Sequence, residues 1–219
     1  RFPFPRHITE ETPTSLKESL GGVWHGLCDK NVLRWLILLD FSDLLLDVLL
    51  SYLALYMVDV AGVDAGRAGI AVAVWTGVGL LGDALLIPLL ERVNGLSYLR
   101  LSVWIEMILF PVFLLIPSYP VKLCILALLG FFNSGWYAIL QGQLYSVLPG
   151  RSGTALTLTT LSGLLGSLLP LGIGLVARRL GLEVAIWLLM AGPLALMVGL
   201  PRQTNGQRTV GELIAIEEG

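Results

Sequence analysis

Of 219 residues, 55% are hydrophobic and only 14% charged, with a net charge of −2 and a mean hydropathy of +0.80; an ordinary soluble domain carries about 25% charge. Too few charges are present to coat a water-facing globule, so lipid is the expected solvent for most of the chain. The near-neutral balance and the lack of a basic tract exclude nucleic acid as a partner.

The chain opens RFPFPRHITEETPTSLKESLGG, Pro-rich and polar, without the apolar stretch of a secretory signal. Residues 1–31 read as a cytoplasmic arm or interdomain linker, with the sequence beginning mid-protein or on that arm. Ser15-Leu16-Lys17-Glu18 fits a capping box and predicts an interfacial helix over 16–27. His7 and His25 lie in this arm and read as solvated.

A helix crossing the hydrocarbon core needs about 20 apolar residues. Six stretches qualify or nearly so: 32–58, 66–90, 98–116, 121–148, 153–177 and 182–200. Turn signals separate them, among them Asn94-Gly95, Pro117 to Pro120 and Pro149-Gly150. The expected fold is therefore an all-α membrane protein with a six-helix transmembrane domain over 32–200 and a cytoplasmic tail over 201–219. Loop arginines and lysines set the orientation: Lys17, Lys30, Arg34, Arg92, Arg100, Arg151, Arg202 and Arg208 fall on one side, predicting both termini in the cytoplasm.

Ionisable groups inside a span cost about 2.5 to 3.5 kcal/mol on insertion scales, and each needs a reason. In the first span Asp40, Asp43 and Asp47 stand at i, i+3 and i+7 and share one helical face, which is expected to look into protein or water. They are candidates for a proton or cation pathway, Asp47 nearest the span's middle; pairing with arginines elsewhere is the competing duty. Glu106, in the third span, is expected to pair with a group such as Arg100. The fourth span carries FFNSGWYAILQGQLY, in which Asn133, Tyr137 and Gln141 are spaced i, i+4, i+8. That stripe serves either a solute, through hydrogen bonds, or interhelical contact. Glycines at 77, 79 and 82 and at 163, 166, 172 and 174 predict close helix crossings. Cys28 and Cys124 sit in unlike settings, and no zinc spacing, nucleophile elbow or phosphate loop occurs, so neither an enzyme, a metal nor a cofactor is implied.

The segment GRAGIAVAVWTGVGLLGDAL, 66–85, aligns without a gap to GRSGTALTLTTLSGLLGSLL, 150–169, with half of the positions identical. One repeat unit spans three helices, so its two copies enter the membrane from opposite sides: a 3+3 inverted repeat. Stretch 148–202 resembles the last helices of major facilitator transporters, and Gly79-Leu80-Leu81-Gly82-Asp83 resembles the start of that family's G-x-L-x-D loop motif, making Asp83 a candidate motif residue. Ala84 and Leu86 depart from the motif's usual basic residue and glycine. The resemblance implies the C-terminal six-helix half of a secondary transporter in the cell membrane. Its partners would be the bilayer, a small solute, and an N-terminal six-helix half of the same chain or a second copy. A half-transporter acting as a dimer and a six-helix scaffold without a solute path are the alternatives.

Overall fold

A computed structural model describes residues 28–201, and every regular element among them is helical. The expected helix over 16–27, both histidines and the tail beyond 201 lie outside the described residues.

Asp29 starts the first helix by accepting from the Asn31 N–H at 2.8 Å, satisfying one of the free donors of a helix start. The rod then runs as α1 (Lys30–Asp43), a π turn (Leu44–Val48) and α2 (Leu49–Asp59). Next comes α3 (Ala65–Leu90), capped by Asp64, which accepts from Arg67 N at 3.1 Å and pairs with its Nε at 3.4 Å. α4 (Gly95–Leu115) is capped by Asn94, which accepts from Leu96 N at 3.0 Å. α5 (Tyr119–Asn133) has a proline in its first turn, where no N–H is needed. α6 (Trp136–Val147) follows after Ser134 and Gly135, and then come α7 (Ser152–Gly166) and α8 (Leu168–Leu180). α9 (Leu182–Trp187), a 3₁₀ turn (Leu188–Met190) and α10 (Ala191–Gly199) complete the described chain.

Among the described residues, five helical stretches are long and apolar enough to cross a membrane: Ala65–Leu90, Gly95–Leu115, Tyr119–Val147, Ser152–Leu180 and Leu182–Gly199. The chain is an integral membrane protein of helical class. The rod over 30–59, divided by its π turn and carrying Asp40, Asp43 and Asp47, stands apart from those five.

The rod's inner face, Leu45, Leu49, Leu53 and Met57, is almost completely buried, together with Phe110 and Phe113 of α4, Leu126 of α5, and Trp136 and Leu140 of α6. Two basic side chains tie helix ends together. Lys122 Nζ, at the start of α5, donates to Phe113 O at 2.6 Å, Leu114 O at 3.4 Å and Tyr56 Oη at 3.1 Å. It thereby neutralises the carbonyl-rich end of α4, where a cation is favoured. Arg34, near the start of α1, donates from Nε to Gly199 O at 2.6 Å, at the end of α10. Arg34 was legible only as an orientation signal; neither residue points simply into water.

Close crossings occur at some of the expected glycines. A Cβ on Gly82 would stand 2.6 Å from Ser134 Oγ, and one on Gly174 would stand 2.7 Å from Tyr52 Oη. Gly79 lies against Gly130 O, and Gly166 against Asp40 Oδ1. Gly77, Gly163 and Gly172 instead face open space, because each is turned away from the neighbouring helix. The tightest backbone approach in α5, Gly130 to Trp75 O at 2.7 Å from an added Cβ, falls at a glycine outside the expected set.

Candidate functional site

The helix over 119–147 is broken in mid-course. α5 ends at Asn133, Ser134 leaves helical geometry, and Gly135 adopts φ +72 before α6 resumes at Trp136. A left-handed residue costs an ordinary side chain about 1 kcal/mol or more. Here Leu86 also presses directly on the position a Cβ would take, so only glycine fits. The break frees carbonyls of α5 and N–H groups of α6 at membrane depth, where every such group needs a partner.

Neighbouring helices supply those partners. Asp83 of α3 accepts from the Gly135 N–H at 2.9 Å, at the electropositive start of α6. Ser134 Oγ donates to Phe131 O at 2.6 Å. Tyr98, Ser102 and Glu106 form an i, i+4, i+8 stripe on α4 that faces the break. Tyr98 Oη lies 3.4 Å from both Phe131 O and Ser134 O, and Ser102 Oγ accepts from Trp136 Nε1 at 2.8 Å. At the end of the stripe Glu106 is wholly buried, with the Asn133 amide facing it. Neither carboxylate oxygen, nor either polar atom of that amide, has a partner within hydrogen-bond geometry.

The expected pairing of Glu106 with Arg100 does not form; the ion pair among the described residues is Arg67 with Asp64. Six positions along an α-helix place two side chains about 120° apart, so Arg100 is turned away from the carboxylate. Glu106 is the residue for which sequence reasoning expected a routine ion pair and the structure gives none.

In front of the break lies a cleft of about 570 Å³, walled by the rod (Leu46, Leu50), by α3 (Trp75, Thr76, Asp83) and by the start of α6. Of the expected pathway residues, Asn133 and Tyr137 line it, and the motif candidate Asp83 lines it as well. Gln141, one turn beyond Tyr137, is half-buried and outside the lining. The three rod acids are also outside it. Asp40 accepts from Ser162 Oγ at 2.6 Å, on α7. Asp43 is half-buried and Asp47 exposed. All three are within electrostatic reach of Tyr137, so the acid face and the cleft meet at that phenol. The π turn begins directly after Asp43 and contains Asp47; such turns occur often at functional sites.

No protein-family model, no curated protein and no solved structure matches this chain.

Proposed function

We propose that this chain is one six-span half of a secondary transporter of major-facilitator type, built as a 3+3 inverted repeat, that moves a small solute by alternating access. The observation that carries this reading is reciprocity. Taking the rod, α3 and α4 as one unit and the helices over 119–199 as the other, each unit's first helix is interrupted midway, at 44–48 and at 134–135. Each first helix also carries a basic residue near its start, Arg34 or Lys122, bonded to the carbonyl end of the other unit's last helix. Gly82 presses on the first helix of the second unit beside its break, and Gly166 on the first helix of the first unit at Asp40. These two glycines occupy the same position in the aligned segments 66–85 and 150–169. Such exchange of contacts is what a pseudo-twofold axis in the membrane plane produces, and broken helices at the repeat interface are where transporters of this build hold their cargo.

On this reading the cleft is one wall of the solute path, and the acids at 40, 43 and 47 border it. Both termini lie in the cytoplasm and the bilayer is the cell membrane. A second six-helix half, or a second copy, supplies the opposite wall. The test is uptake by proteoliposomes carrying the whole protein, screened over solute classes with and without a pH gradient. Accumulation of one class supports the reading; a correctly folded protein that moves no solute in either condition leaves the scaffold alternative.

A further inference from the structure

The charge pattern around the cleft names a class of ligand. Among the lining residues no lysine, arginine or histidine occurs, and Asp83 is the sole carboxylate. Its Oδ1 serves the Gly135 N–H, which leaves Oδ2 for a ligand. Just outside the lining, Asp43 and Asp47 stand within electrostatic reach of Tyr137, with no basic partner among the described residues. The field in the cleft is therefore of one sign, and low-dielectric walls focus it. Asn133 lines the cleft at 3% exposure, its amide turned to Glu106 without completing a hydrogen bond of good geometry. Trp75 and Tyr137 offer π surfaces that attract cations. Leucine and isoleucine side chains of the rod and α3 supply a large apolar wall, matched to an apolar body. The volume falls within the usual range of about 300 to 1,000 Å³ for pockets that take small organic molecules.

We propose that the cleft binds an amphipathic organic monocation, its charge held by Asp83 and Tyr137 and its apolar body lying along Leu46, Leu50 and Leu86. This rests on reading the cleft as a solute path and adds the class of solute. A small inorganic cation would leave the leucine wall unused, and an anion would meet the Asp83 carboxylate with no lining cation to offset it.

The experiment is equilibrium binding to the purified whole protein in detergent, using two ions of one shape and opposite charge, tetraphenylphosphonium and tetraphenylborate. Saturable binding of the phosphonium, with the borate at least about tenfold weaker, is the expected result. Equal binding of the two, or preference for the borate, overturns the proposal without needing any variant. Asp83→Asn keeps an oxygen for the Gly135 N–H while removing the charge, and is expected to weaken phosphonium binding about tenfold or more. Unchanged binding by that variant also overturns it. Uptake of an anionic or neutral solute by protein that fails to bind the phosphonium sinks this proposal and leaves transport standing. Phosphonium binding without movement of any solute does the reverse.

Discussion

Glu106 and Asn133 are the residues whose surroundings depart furthest from ordinary packing. A wholly buried carboxyl group without a cation is held far more cheaply neutral than charged, so its neutral isostere fits the same place at little cost. Glu106→Gln is expected to leave thermal unfolding in detergent unchanged or raised, whereas Glu106→Ala, which opens a void and abandons the Asn133 amide, lowers stability by about 2 kcal/mol or more. Equal loss in both variants would show that the charge itself is bonded in the folded protein. The rod acids divide differently. Asp40 is held by Ser162, so Asp40→Ala is expected to cost about 1 kcal/mol of stability. Asp47 is exposed, so Asp47→Asn leaves the melting temperature unmoved and, on the transport reading, changes the dependence of uptake on the pH gradient. Unaltered rate and pH profile in that variant would remove Asp47 from coupling. The sequence singled out these acids because a charge within an apolar run is conspicuous by itself. It misjudged Glu106 because what a buried acid meets is decided by the helix opposite, which no local pattern records.

Among the elements, helix crossings give the sharpest contrast. Gly130→Ala places a methyl 2.7 Å from the Trp75 carbonyl, and Gly82→Ala places one 2.6 Å from Ser134 Oγ; backbone yields less readily than a hydroxyl, so the first is expected to cost more, within about 1 to 3 kcal/mol. At Gly79 the nearest atom is 3.5 Å from an added Cβ, so alanine fits and leucine does not. Gly77→Ala meets open space and should gain slightly from helix propensity. Denaturation of the four variants side by side checks the order. Helix ends were partly readable beforehand, since Asn94 and Pro120 carry their chemistry in the residue itself. The interruption at 134–135 was written as Asn-Ser-Gly, an ordinary turn sequence, yet inside an apolar run it passed for a polar stripe on a continuous helix. The π turn has no such marker: Leu44-Leu45-Leu46-Asp47-Val48 is as compatible with α as with π geometry, and packing decides between them.

Across the whole molecule, the bundle is fastened by two cations, one near the start of the rod and one at the start of α5. Lys122→Met removes charge-assisted bonds to Phe113 O and Leu114 O and leaves those carbonyls and Tyr56 Oη buried; a loss of about 2 kcal/mol or more is expected, read by thermal unfolding. Arg34→Met gives up one bond in a half-buried place and should cost about 1 kcal/mol. If the two losses proved equal, the environments would be more alike than their burial suggests. The Arg34 bond also has a bearing on how the protein is made. Its donor and acceptor are 165 residues apart, and ribosomes add roughly 5 to 20 residues per second. The guanidinium therefore waits on the order of ten seconds or more, already delivered to the bilayer, for a carbonyl that has not been synthesised. Throughout that interval α1 needs a temporary companion, from water, lipid headgroups or the insertion machinery, and the emergence of α10 is the event that releases it.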